Sequence, residues 1–248
     1  ITRRGRTLLA LSAVIFIYTF ATSVLQYNLA LFTDALAANY TLFGFVMGLP
    51  WLFSLLTDMP TGAFAERFGK KRTIVLGLLG LAASGLFFYF VSGLFQLFWV
   101  LVLFGVFEGF LTVAGMASVI AVSPHGQEHQ YVGGYSSASA FGYVVGPRVG
   151  GLTVMLAGNR IPFLVFAVMC AIAALVAAVT IPPARHHHEA LGGTVSDILW
   201  KDHIYTAELK EFFSAGRLSL FVVASMLLSG MWSEFVWALE PLFVDSLA

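Results

Sequence analysis

Gly62-Ala63-Phe64-Ala65-Glu66-Arg67-Phe68-Gly69-Lys70-Lys71-Arg72 places five charged residues within eleven, between two long stretches that have none. Upstream, Ala35 to Thr57 is uncharged; downstream, no charge occurs from Thr73 to Phe107. A short basic segment between two apolar runs of membrane-crossing length reads as a loop at a bilayer surface joining two helical spans. Gly69 suits a tight turn between those helices, and Gly62 suits close helix packing. Glu66 suits a basic partner or a helix N-terminus, while the Lys/Arg cluster suits inner-leaflet headgroups.

The composition agrees with that reading. Of the 248 residues, 59% are apolar or aromatic and only 10% are charged, against roughly 25% charged in soluble domains. A chain of this size could not bury so much apolar surface in water, which excludes a soluble globular protein. Thirteen basic and thirteen acidic side chains cancel, so nothing marks a nucleic-acid partner. Cys170, the one cysteine, lies in an apolar run and reads as an inert buried thiol. The first residue is Ile1 rather than Met, which leads us to expect a piece of a longer sequence.

Seven spans follow from the long apolar, charge-poor runs: Thr7 to Thr33, Ala35 to Thr57, Thr73 to Val91, Leu94 to Val122, Tyr131 to Met155, Ile161 to Ile181 and Leu218 to Val244. The first run, about 40 Å long as a helix, exceeds a signal peptide, and six more follow it. With the N-terminus inside, Arg3, Arg4, Arg6, Arg67, Lys70, Lys71, Arg72, Arg185, Lys201, Lys210 and Arg217 are cytoplasmic. Arg160 alone is outside, and Arg148 falls within a span. That asymmetry orients a multi-pass protein. The expected organisation is all-α: residues 1–181 as a six-helix bundle, 182–216 as a cytoplasmic linker, and 217–248 as the first helix of a second bundle. Within the linker, Val195 to Phe213 reads either as an interfacial amphipathic helix or as a solvated connection.

The loop quoted at the outset resembles the signature loop of the major facilitator superfamily, G-x-x-x-D-R-x-G-R-R-R, with Glu66 in place of the usual Asp. Met59-Pro60-Thr61-Gly62 resembles the I-P-T-G that precedes it in many drug-efflux members. In span five, Gly142-Tyr143-Val144-Val145-Gly146-Pro147-Arg148-Val149-Gly150-Gly151 is similar to G-x-x-x-G-P-x-x-G-G, the pattern of the proton-coupled antiporter branch. The resemblance implies a two-bundle transporter of about twelve spans that works by alternating access. It also implies a gating role for Gly62, Glu66, Arg67, Gly69, Lys70, Lys71 and Arg72. A kink at Gly142, Gly146, Pro147, Gly150 and Gly151 would pack the two bundles together. Arg148 departs from an apolar position of that pattern. The arginine common in span four is absent, because Leu101 stands four residues before Gly105.

Ionisable groups in apolar spans are costly and mark function. Glu108, Arg148 and Glu234 are therefore the proton-coupling candidates, with Glu108 and Arg148 expected to be able to pair, or else to form a static buried pair that fixes packing. Asp58 is expected near a solvated helix end. Gln26, Tyr27 and Asn28 form a polar step in span one; the resemblance makes them substrate-cavity candidates, and helix-helix hydrogen bonding is the alternative. His186-His187-His188-Glu189 has the spacing of no enclosed metal site, and neither a metal nor a cofactor is expected. No motif of an enzyme occurs.

These readings converge on a secondary transporter in a cell membrane, most simply a bacterial inner membrane. Its expected activity is proton-coupled efflux of small amphipathic molecules, with the small-molecule substrate, protons, the bilayer and a C-terminal bundle as partners. An uptake symporter of nutrients or metabolites and a non-transporting protein derived from a transporter half are the alternatives. A seven-helix receptor or retinal protein is disfavoured, because its N-terminus would be external and span seven lacks a lysine.

Overall fold

The computed structural model describes residues 3–36 and 40–182, together with isolated positions 214, 216, 221, 225 and 228. The chain forms two compact units, Ile1–His186 and His187–Ala248. The expected linker, span seven, Glu234 and the His186–His188 run lie outside the described residues.

Six helices build the first unit: α1 (Arg3–Leu36), α2 (Tyr40–Phe68), α3 (Lys70–Phe90), α4 (Leu94–Val122), α5 (Glu128–Ala157) and α6 (Ile161–Thr180). All six are long and apolar enough to cross a membrane. Spans three, four and six fall within a few residues of the charge-poor runs. α2 differs most, because it continues eleven residues past Thr57, through Pro60 to Phe68. Loss of apolar character ends a hydrophobic run but does not end a helix, whose backbone bonds are satisfied within itself.

Adjacent helices run in opposite directions, and the packing has a three-plus-three logic. α1 packs against α5, α6 and α4, while α4 packs against α2, α3 and α1; α3 and α6 pack together. Exchanging helices one to three for four to six therefore reproduces the arrangement with the direction reversed, the layout of an inverted repeat. Large apolar side chains lie exposed on every helix, among them Leu9, Leu55, Leu79, Phe95, Phe141 and Leu175. In water such surface would drive aggregation; against lipid tails it is ordinary.

Small residues set the close helix approaches. A Cβ on Gly142 would lie 2.2 Å from Thr19 Oγ1, and one on Gly146 only 2.3 Å from Ser23 Cβ. On α4, a Cβ on Gly105 would lie 2.3 Å from the Pro50 carbonyl oxygen of α2. Gly62 behaves differently from expectation. It has open space around its Cβ position, so no helix within this unit requires a glycine there.

At the basic end of the unit, a single residue, Gly69, separates α2 from α3 with φ 93° and ψ 133°. Only glycine adopts that backbone readily. Lys70 Nζ then donates to the Ala117 carbonyl of α4 at 3.0 Å. Gly69→Ala is expected to destabilise the unit by about 1–3 kcal/mol, the usual cost of forcing a side chain into such a conformation. The unmasking of Cys170, fully buried in α6, to a thiol-reactive dye during a thermal ramp measures it.

The opposite end is fastened by the α5–α6 turn. Asn28 of α1, fully buried, donates through Nδ2 to the Asn159 carbonyl. Arg160 donates to the carbonyls of Tyr89 at 3.0 Å and Val91 at 3.4 Å, satisfying the C-terminal end of α3.

Candidate functional site

The site begins with Glu108, the fifteenth of the 29 residues of α4 and so at its midpoint. It is buried, and Tyr18 of α1, itself 2% exposed, donates its hydroxyl to Glu108 Oε1 at 2.8 Å. Hydrogen bonds to ionised groups are among the stronger ones, worth about 1.5–3 kcal/mol. Thr112, one turn on, bonds back to the Glu108 carbonyl at 3.0 Å, which spends its hydroxyl locally and leaves the Glu108 carboxyl to its neighbours on other helices.

On the basic side of this pair the helices part. A cleft of about 340 Å³ opens between α1, α4 and α5, lined by Ile15, Thr112, Met116, Tyr135, Ser136, Ser139, Ala140 and Tyr143. Five of these eight carry hydroxyls. Gly115 makes room for one of them, since a Cβ there would lie 2.6 Å from the Tyr135 hydroxyl. Beyond Gly142 the glycines at four-residue spacing draw α5 onto α1 and close the seam. The cleft therefore lies on the basic side of the Tyr18–Glu108 pair, with Thr112 one turn along α4 from Glu108, and the glycine-packed α1–α5 seam lies beyond it. Such a surface offers hydrogen bonds and aromatic faces around one buried carboxyl.

The other sequence candidates are dispersed. Arg148 is exposed on α5; it follows Gly146 by two residues, which turns it away from the face packed on α1. Among the described residues no ion pair joins it to Glu108, which corrects the expected pairing. Asn28 belongs to the fastening at the far end rather than to the cleft lining, the helix-tying alternative of its reading. Gln26 is half-buried and also absent from that lining; the side chain of Tyr27 lies outside the described residues. Glu66, Arg67 and Arg72 are exposed around the Gly69 turn, with Lys70 and Lys71 half-buried, and Arg67 stacks over the Phe68 ring at 5.6 Å. Gly142, Gly146 and Gly150 pack α5 against α1 inside one bundle, whereas the resemblance implied a contact between bundles. Pro147 lies within α5, and Gly151 meets nothing within this unit.

Sequence reading missed Tyr18 and the hydroxyl lining. A signal was present in Gly133-Gly134-Tyr135-Ser136-Ser137-Ala138-Ser139, which is unusually polar for a span. Serines hydrogen-bond their own helix so readily that polarity alone did not mark a cavity.

Comparison with known proteins accords with this architecture: the Major Facilitator Superfamily matches residues 11–247. The chain belongs to the major facilitator superfamily. An uncharacterized MFS-type transporter of Methanocaldococcus jannaschii is 29% identical over 154 residues, covering 60% of this chain and 40% of that protein. Multidrug resistance protein 2 of Bacillus subtilis is 29% identical over 132 residues, 53% of this chain and 33% of its own length. A probable vesicular acetylcholine transporter-B of Danio rerio is 31% identical over 120 residues, 48% of this chain and 24% of its own. The alignments thus span at most about two fifths of these superfamily relatives. The chain is that of a multi-pass membrane member of the superfamily, and the described unit has the helices of one half-bundle.

Proposed function

We propose that this superfamily member exports small amphipathic molecules in exchange for protons, with its N-terminus in the cytoplasm. The carrying observation is the buried Glu108 at mid-helix, held by Tyr18, with a hydroxyl-lined cleft that begins one helical turn away at Thr112. Under the positive-inside rule the basic end is cytoplasmic, so the cleft would admit a molecule from the cytoplasm while the α1–α5 seam shuts the outer side. A second bundle would complete the cavity, and rocking of the two would expose it alternately. Glu108, ionised, attracts a cationic or hydrogen-bonding substrate; protonated, it releases that substrate outward. The proton then leaves to the cytoplasm. Arg148, Glu234, Gln26 and Tyr27 are proposed as further contributors. The Gly62–Arg72 turn is proposed as the hinge brace between access states, with Glu66, Arg67 and Arg72 at its exposed surface. The Bacillus subtilis multidrug resistance relatives support the export direction.

The test is ethidium flux into proteoliposomes holding the whole protein. Ethidium should accumulate when the lumen is acidic and leave when the gradient is reversed. Accumulation that follows external acid instead would mean uptake by symport. Flux indifferent to either gradient would refute proton coupling.

A further inference from the structure

α2 runs ten residues beyond Asp58 to Phe68, so Asp58 does not sit at a solvated helix end. It lies against α4 beside Gly109, where a Cβ would fall 3.0 Å from Asp58 Oδ1 and 2.6 Å from Thr57 Oγ1. Gly109 follows Glu108 in sequence. Asp58 and Glu108 are thus at one depth on opposite sides of the α4 backbone: Glu108 faces Tyr18 of α1, and its neighbour Gly109 faces Asp58 of α2. That depth is the middle of α4, and Asp58 is about 12 Å along α2 from Glu66, at 1.5 Å per residue for eight residues.

The carboxyl straddles a boundary. Asp58 as a residue is half-buried, and Ser54, one turn back on α2, is the side-chain donor to its carboxyl, yet Oδ1 is fully buried and has no partner of its own. Thr57 cannot serve that oxygen, because its hydroxyl already donates to the carbonyls of Phe53 and Ser54. An ionised oxygen buried without a donor is costly, and a bound proton cancels the charge. The helices packed against α2 are α4, α3 and α1. Their ionisable residues at this depth are Glu108 and Tyr18. The others occupy the ends: Arg3, Arg4, Arg6, Lys70, Lys71 and Arg72 at the basic end, Tyr27, Asp34 and Tyr89 toward the other. Neither end supplies a fixed counter-charge within reach of mid-helix.

We infer that Asp58 is a second proton-binding carboxyl of the membrane interior, separated from Glu108 by the α4 backbone and seated there by Gly109. Its part in transport rests on the proton-coupled reading above. The step is reversible protonation of one carboxylate oxygen by water-borne protons, with no other bond made or broken.

Infrared difference spectra across a pH titration of the whole protein test the site without any substrate. Among the carboxylic C=O bands that grow with acid, Asp58→Asn should remove one and Glu108→Gln another. A titration unchanged by Asp58→Asn overturns the inference. In proteoliposomes, Asp58→Asn should cut pH-gradient-driven ethidium flux about tenfold while ethidium exchange without a gradient persists, and Asp58→Glu should restore most of the driven flux. Loss of exchange together with driven flux in Asp58→Asn, unrescued by Glu, would make Asp58 a packing residue and overturn the coupling role. If the Asp58 band is present but wild-type flux ignores the gradient, the proton-coupled reading falls while the binding site stands.

Discussion

Glu108→Gln should lower pH-gradient-driven ethidium transport by 100-fold or more while leaving exchange of an uncharged, hydrogen-bonding substrate across the membrane within about threefold of wild type. The two losses separate because glutamine keeps the size of glutamate and still offers Tyr18 an oxygen to donate to, so the α1–α4 contact at 2.8 Å survives. What disappears is the only property a proton carrier needs, a charge that can be cancelled. The estimate of at least 100-fold corresponds to about 2.7 kcal/mol of lost coupling, at 1.36 kcal/mol per tenfold. Tyr18→Phe makes the companion variant. It removes one donor and leaves the carboxyl in place, so a smaller loss, about tenfold, with a displaced pH profile is expected. Driven transport that survives Glu108→Gln undiminished would remove Glu108 from the mechanism.

The second large effect concerns the α1–α5 seam. Gly146→Val should abolish accumulation of folded protein or lower its apparent melting temperature by roughly 10 °C, taking about 3 kcal/mol of overpacking and 2–4 °C per kcal/mol. The reason is geometric. A Cβ at Gly146 would lie 2.3 Å from Ser23 Cβ and 2.8 Å from the Phe20 carbonyl oxygen, and the latter belongs to a helix backbone that cannot move aside alone. Gly151→Ala is the control, since its Cβ meets nothing in this unit; its melting temperature should stay within about 1 °C. The readout is again the exposure of Cys170, which reports opening of the α3–α6 side. A Gly146→Val protein as stable as wild type would show that α5 does not need glycine to approach α1.

Much of this protein was legible from its residues. Charge distribution located the six described spans, because a charge in hydrocarbon is costly wherever it falls. The break at Ser92-Gly93 was readable too, since one apolar run was too long for one crossing. The Gly62–Arg72 and Gly142–Gly151 patterns pointed to the family to which the chain belongs. Gly69 as a turn residue followed from its place between two helices and is met by its positive φ.

Other features waited for the tertiary structure. Asp58 read as a helix end because hydropathy stops there, but α2 does not stop. Glu108 and Arg148 read as partners because both lie in consecutive spans, but helical rotation sends Arg148 to an exposed face and brings Tyr18, 90 residues away, to the carboxyl instead. Asn28 read either as cavity polarity or as a helix-tying hydrogen bond, and it donates to the Asn159 carbonyl of the α5–α6 turn. The sequence by itself determined where the chain crosses the bilayer and to which family it belongs, since both depend on local composition and spacing. Only the tertiary structure decided which polar groups meet, because that depends on the rotation and pairing of helices distant along the chain.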